Sequence, residues 1–228
     1  MRSSCSSPVP FRWFGCGKAV ALSALLVITA ATIQAAQPAM TIAFSGRTII
    51  VRGASPGSEV LVFGAYQHMV GYFAAYDTFQ EFVADEGHDG AVTVDFRAPI
   101  PRRSVWIAID TRNGEYSVAA PAGYRVKLSD LPATAIAKSK AGDDALSLSF
   151  AAAEILVLRP GGSAWRGRSD RGGTNDERDA DSKKLLVSAS HLMALRGREP
   201  GPRALRPSDL IIAINPLTLE TLIHQAGK

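Results

Sequence analysis

The chain has little cysteine, and both of its cysteines lie close to the N-terminus. Cys5 and Cys16 are the only two in 228 residues. They fall inside a segment with the composition of an export signal, so an exported and processed chain would contain no cysteine. Such a protein has no disulfide to stabilise it and no thiol for nucleophilic catalysis. Its stability must therefore come from its hydrophobic core.

Histidine is also scarce, and no catalytic pattern stands out. The four histidines, His68, His88, His191 and His224, lack the close paired spacing of a zinc site. Residues 53–57 match Gly-x-Ser-x-Gly, but Pro56 follows the serine and has no N–H to donate to an oxyanion, so the pattern indicates a turn. We therefore predict a non-enzymatic protein without a cofactor. The sequence leaves open whether two carboxylates form a glycosidase pair, because the two members of such a pair are brought together only by the folded structure.

Positive charge is limited once the N-terminal segment is set aside. The chain has a formal net charge of +4, and Arg2, Arg12 and Lys18 supply three of these charges within the first 36 residues, which hold no acidic residue. The remaining chain is near +1. Nucleic acid attracts proteins mainly through clustered cations, so we expect no nucleic-acid partner.

The N-terminal segment has the order of parts that an export signal requires. Positive residues precede an apolar run at 19–33, which is about 15 residues long, whereas crossing a bilayer as a helix takes about 20. We predict a signal peptide with a short helix over residues 1–36, and a secreted or periplasmic protein. The cleavage point stays open. An uncleaved signal would instead anchor the protein to a membrane.

Beyond residue 39, short apolar runs alternate with turn residues, which is typical of β-strands. Such runs occupy 41–44, 48–52, 59–63, 91–96, 104–110 and 116–119. Asn113-Gly114 predicts a two-residue type I′ hairpin before the last of them. Residues 64–84 favour strand by composition, although aromatic residues at every third position, 76, 79 and 82, also fit a short helix. The pattern predicts an all-β chain and, over residues 40–124, a β-sandwich.

The segment 40–124 resembles the immunoglobulin-like modules of bacterial surface and secreted proteins. In these modules a strand ends at a glycine, a Pro-Gly turn leads to a second strand, and an Asp-Gly turn follows. The positions that match are Gly53, Pro56, Gly57, Val60, Val62, Asp89, Gly90 and Val94. The resemblance implies an immunoglobulin-like β-sandwich that acts as a spacer or a binding unit, and it implies no chemistry.

The rest of the chain is also rich in strand patterns. Residues 125–144 have the composition of a linker or crossover, and residues 145–228 contain apolar runs at 145–150, 154–158, 185–190 and 210–214. We therefore predict an immunoglobulin-like β-sandwich followed by a second β-rich domain. The sequence leaves open whether the two regions pack as one unit, and it leaves the oligomeric state open.

A polar loop at 166–184 interrupts the second region. Oxygen ligands near two glycines suit a calcium ion, and the candidate ligands are Asp170, Asp176, Asp179 and Asp181. The same loop holds six Lys and Arg residues, which would repel a dication, and it lacks the order of ligands in a calcium-binding loop. A solvated loop without metal is the alternative that composition favours.

Trp165 is the one residue that the sequence suggests for ligand binding. It lies beside Arg166 and Arg168, where an aromatic ring can stack on a sugar or a base. A tryptophan at a strand end also commonly covers the edge of a core. We predict an exported, non-enzymatic surface or periplasmic module that binds an unidentified protein or carbohydrate ligand or has a structural role. The alternative is a secreted carbohydrate-active or hydrolase accessory protein.

Overall fold

The computed structural model describes residues 39–139, 141–150, 152–170, 177–178, 184–197 and 199–225. Over these ranges the chain forms strands and two short 3-10 helical turns, and it contains no α-helix. The prediction of an all-β fold is therefore confirmed for the described residues. The predicted signal peptide, residues 1–36, lies outside them.

The first half of the chain forms two antiparallel sheets. Its strands are β1 (Thr41–Ser45), β2 (Thr48–Arg52), β3 (Glu59–Val70), β4 (Phe73–Ala84), β5 (Ala91–Asp95), β6 (Ser104–Asp110) and β7 (Tyr116–Ala119). Sheet 1 has the order β1-β2-β5, and sheet 2 has the order β4-β3-β6-β7. Residues 64–84 thus form the ends of two long paired strands, and the helical alternative for them is wrong.

The second half forms two further sheets. Its strands are β8 (Leu128–Asp130), β9 (Ile136–Lys138), β10 (Asp144–Leu148), β11 (Ala152–Arg159), β12 (Ser163–Asp170), β13 (Glu177–Arg178), β14 (Leu185–Ser188), β15 (Met193–Ala194), β16 (Leu210–Ile214) and β17 (Thr221–Gln225). Sheet 3 has the order β15-β12-β11-β16-β17-β8, and sheet 4 has the order β13-β14-β10-β9. The region 125–144, predicted as a linker or crossover, contributes β8 and β9 to the edges of sheets 3 and 4. These strands have three residues each, which is too short to produce a recognisable hydrophobic periodicity in the sequence.

The four sheets are stacked in the order 1, 2, 3, 4, with a hydrophobic cluster between each successive pair. Sheets 1 and 2 enclose the first cluster, which includes Val51 and Trp106. Sheets 2 and 3 enclose the second, which includes Phe63 and Leu156. Sheets 3 and 4 enclose the third, which includes Trp165. The middle sheets, 2 and 3, are therefore covered on both faces.

Coverage on both faces explains the long apolar runs in the middle sheets. All seven residues of β6 and all five of β16 are buried. Successive side chains of a strand point to opposite faces, so Ile107 contributes to the cluster between sheets 2 and 3 while Trp106 contributes to the one between sheets 1 and 2. Burying one large aliphatic or aromatic side chain stabilises the fold by about 1.5–3 kcal/mol.

The two halves share one core. Leu61 and Ile109 from the first half lie in the same buried cluster as Leu158 and Ile212 from the second. Residues Gln37–Lys228 accordingly form a single compact unit. The question that the sequence left open is answered, because the two β-rich regions pack together through sheets 2 and 3.

The hairpin between β6 and β7 differs from the predicted one. Asp110 donates its backbone N–H to the Glu115 carbonyl at 2.8 Å, so four residues form the loop. Only Gly114 among them has a positive φ, of +75°. The two-residue type I′ prediction is therefore wrong. The Asp110 carboxylate sets the loop, because it accepts hydrogen bonds from the N–H groups of the distant Ser55 at 2.8 Å and of Arg112, within the loop, at 2.9 Å.

Gly64 allows the closest contact within sheet 2. It pairs with Trp106 on the neighbouring strand, and a Cβ atom at position 64 would lie 2.4 Å from the indole ring. The indole N–H is fixed by a 2.8 Å hydrogen bond to the Ser104 hydroxyl. The ring therefore has little freedom to move away, and only glycine fits beside it.

We expect Gly64→Ala to lower the free energy of unfolding by about 1–3 kcal/mol, because overpacking a filled core costs this much. Urea unfolding followed by circular dichroism measures the change. Gly87→Ala is the matched control, since its added methyl group would meet neighbours no closer than 3.5 Å. Equal stability of the two variants would contradict the packing of Trp106 against Gly64.

Candidate functional site

A two-stranded ribbon projects from sheet 2. Strand β3 pairs with β4 over its whole length, from Glu59 opposite Ala84 to Val70 opposite Phe73. Its pairing with β6 ends earlier, at Tyr66 opposite Ser104. Residues 67–76 therefore extend past the third strand of the sheet, and we call this segment the ribbon.

The tip of the ribbon exposes apolar side chains. Met69 is 65% exposed, Val70 57% and Tyr72 97%. Gly71 has a φ of +61° at the first central position of the turn, the position that a type II′ hairpin turn gives to glycine. Large apolar side chains that are exposed to water rather than packed in a core are energetically unfavourable. A group of them on one protrusion therefore indicates a contact surface.

Cations flank the apolar tip on one side. Arg102 and Arg103, both exposed, line a groove of about 350 Å³ together with His68 and Met69. Residues 64–76 and 96–109 contain no acidic residue. The tip therefore combines an apolar end with a positively charged flank.

The base of the ribbon is attached to sheet 3. The Gln67 side-chain amide donates hydrogen bonds to the carbonyls of Pro216 and Leu217 at 3.1 and 2.5 Å. Its backbone N–H donates to the Arg103 carbonyl at 2.9 Å. Beyond Gln67 the ribbon is held by the β3–β4 pairing and, at its base, by the contact of Arg168 with the Tyr76 ring, so the ribbon has a fixed base and an exposed tip.

A cleft of about 650 Å³ lies beside this base. Its wall contains Phe96, whose ring packs edge to face on Tyr66 at 5.4 Å and on Phe79 at 5.5 Å. Burial, followed by the charge of Asp77, raises the pKa of the Tyr66 hydroxyl. Asp77 is the only carboxylate among the described residues that line the cleft.

Next to the cleft lies a buried carboxylate. Glu154, on β11, is 1% exposed and points from sheet 3 towards sheet 2. Its Oε2 atom accepts hydrogen bonds from Arg166 Nε and Nη2 at 3.2 and 3.1 Å. Its Oε1 atom is 3.6 Å from Arg168 Nε, which is longer than a hydrogen bond. Burial raises the pKa of Glu154, although the two arginines oppose this shift.

Three arginines, two on β12 and one just after the edge strand β15, reach from sheet 3 to sheet 2, where they contact β4 and β3. Arg166 donates to the Thr78 hydroxyl and, at 3.2 Å, to the Gln80 side chain. Arg168 lies 4.1 Å above the centre of the Tyr76 ring, and Arg196 lies 4.0 Å above that of Phe82. Arg196 also pairs with Glu59 at 2.6 Å. These contacts join the edge of sheet 2, from which the ribbon continues, to sheet 3.

The two carboxylates near the cleft, Asp77 and Glu154, differ in their access to it. A glycosidase needs two carboxylates that reach the substrate, about 5 to 10 Å apart. Asp77 faces the cleft, but Glu154 is buried and occupied by Arg166. Among the described residues there is also no group of three or more potential metal-ligating side chains.

The residues proposed from the sequence lie elsewhere. Trp165 is 4% exposed in the cluster between sheets 3 and 4, its N–H donates to the Pro200 carbonyl at 3.0 Å, and Arg159 covers its ring at 5.1 Å. Its ring thus has no open face on which a ligand could stack. Asp170 ends β12, and the three other candidate calcium ligands, Asp176, Asp179 and Asp181, lie outside the described residues.

Comparison with known proteins adds no information about the site. No protein-family model matches the chain, and no curated protein matches it. In the part of the chain that the structure describes, no helix combines the length and the hydrophobicity needed to cross a bilayer.

We expect Glu154→Gln to gain stability relative to the unchanged protein as the pH rises from 4 to 8. The folded-state pKa of Glu154 is raised, so the native state binds its proton more tightly than the unfolded state does. Its contribution to stability is complete below the unfolded pKa and is lost as the pH rises through the folded pKa. Urea unfolding at several pH values measures the difference. A difference that changes in the opposite direction would show that the arginines lower the pKa of Glu154.

Proposed function

We propose that this protein is an exported, non-enzymatic binding module that contacts an external partner through the ribbon. The observation that carries the proposal is the exposure of Met69, Val70 and Tyr72 on a protrusion. Leu128, Met193 and Leu217 are also exposed, but each lies on a different segment of the chain, whereas the ribbon groups three such side chains within four residues. A fixed base and an exposed tip are what a contact element on a rigid scaffold requires.

The immunoglobulin-like resemblance forms the second part of the proposal, and the strand order of the first half supports it. In immunoglobulin-like domains of the constant type one sheet contains the first, second, fourth and fifth strands and the other the third, sixth and seventh. Sheet 1 is β1-β2-β5 and sheet 2 contains β3-β6-β7, so six strands match and β4 departs from that arrangement by pairing with β3 in sheet 2. The ribbon would then be an elongated hairpin between the third and fourth strands of such a module.

Export is supported by the sequence alone. Residues 1–36 have the charge and hydrophobicity pattern of a signal, and no cysteine follows residue 16. A secreted or periplasmic location would place the apolar tip where external partners or membrane surfaces are within reach. The alternative of a hydrolase accessory protein is less well supported, since Asp77 is the single carboxylate among the described residues that line the cleft.

Photo-crosslinking from the tip tests the proposal. We expect benzoylphenylalanine at position 72 to give a crosslinked product in the envelope or medium of cells that express the full chain. The same group at position 128, where Leu128 is 50% exposed on β8, is the matched control and should give little product. The crosslinker reacts with protein, carbohydrate or lipid, so the readout does not assume the class of partner.

Mass spectrometry of the same preparation tests export. A new N-terminus between positions 31 and 37 is the expected result. The proposal is contradicted if position 72 gives no more product than position 128, or if the protein stays in the cytosol with Met1 intact.

A further inference from the structure

We propose that the partner of the ribbon is an anionic lipid bilayer, and that the tip inserts into its interfacial layer. This inference rests on the proposed function, because it gives the chemical class of the surface that the ribbon contacts. It adds a membrane contact in the folded part of the chain, whereas the sequence led us to expect one only from an uncleaved signal.

The apolar end of the tip has the composition that the bilayer interface favours. Tyr72 is 97% exposed, and an amphipathic aromatic ring is stabilised at the level of the lipid headgroups. Met69 and Val70, both more than half exposed, would enter the boundary with the acyl chains.

The backbone of the ribbon is paired on its inner side up to the turn. Strand pairing continues through Met69 opposite Ala74 and Val70 opposite Phe73. The ladder satisfies the N–H and C=O groups that face the other strand, whereas the outward groups of a two-stranded ribbon need water or headgroups as partners. The backbone therefore stays at the level of the headgroups, and only the side chains of the tip extend towards the acyl chains.

The charges beside the tip match an anionic headgroup layer. Arg102 and Arg103 lie on the loop before β6 and line one groove with His68 and Met69, so the cations flank the apolar end. Each basic residue near an anionic bilayer contributes about 1 kcal/mol of attraction. The nearest chain segments, 64–76 and 96–109, contain no acidic residue that would oppose this attraction.

The size and shape of the tip favour lipid over an acidic protein. A standard protein interface buries about 800 Å² on each partner. Tyr72, the one aromatic side chain among the three, supplies about 150–250 Å², and the smaller Met69 and Val70 add less than twice that, so the tip alone falls short of this area. The tip is also convex and would need a matching cavity in a protein, whereas a bilayer interface adapts to the shape that enters it.

The test uses the full chain carrying Tyr72→Trp, which replaces one interfacial aromatic residue by another. We expect its added tryptophan emission to shift to the blue and to be quenched by brominated lipid on vesicles of equal phosphatidylglycerol and phosphatidylcholine. The unchanged chain provides the background from its own tryptophans. Residues 1–36 contain Trp13, which would itself be quenched if that segment bound the vesicles, so only the quenching in excess of the unchanged chain reports the surroundings of position 72.

Two matched variants separate the contributions of charge and position. Arg102→Gln with Arg103→Gln should weaken the vesicle affinity measured at position 72, by about fivefold for each charge removed. Leu128→Trp, on β8, should stay unquenched on the same vesicles. All three positions, 102, 103 and 128, are exposed, so neither variant is expected to disturb folding.

Three outcomes would overturn the inference. Position 72 could remain unquenched on anionic vesicles, it could be quenched equally on pure phosphatidylcholine, or it could be quenched no more than position 128. If crosslinking at position 72 then yields a protein, the proposed function holds with an acidic protein as the partner. If crosslinking also gives no product, the proposed function fails with it.

Discussion

The fold depends on the burial of sheets 2 and 3 on both faces. The central strands β6 and β16 of these sheets have no side open to solvent, so Val105 to Ile109 and Leu210 to Ile214 consist of apolar residues on consecutive positions. With no cysteine after residue 16, no disulfide can replace this burial. The contact between the two middle sheets therefore gives the two halves a common stability.

Where that contact reaches the solvent, charged groups replace apolar ones. Glu154 sits at the end of the cluster between sheets 2 and 3, and Arg166 joins it to Thr78 and Gln80 on β4. A buried carboxylate contributes less to stability than its ion pair suggests, because removing it from water costs free energy. The main effect of Glu154 is to hold Arg166, which in turn fixes the position of β4. Because β4 continues into the ribbon, the exposed tip has a fixed position relative to the sheets.

The sequence predicts the strands well and the stacking poorly. The run at 104–110 coincides with β6, and most other apolar runs correspond to strands within a few residues. Residues 64–84 were ambiguous, because aromatic residues on a hairpin occur at spacings that also fit a helix. Gly71, between two β-forming runs, was the available sign of the turn. Glu154 was missed, because a charge at the start of an apolar strand gives no sign that another sheet will cover it.

The most direct test of this account is the unfolding of the full chain labelled with 5-fluorotryptophan. Trp106 lies between sheets 1 and 2 and Trp165 between sheets 3 and 4, so their fluorine resonances follow the two halves separately. A shared core predicts that both native resonances disappear at the same urea concentration. Clearly separated midpoints for Trp106 and Trp165 would contradict it, because they would show that each half folds on its own.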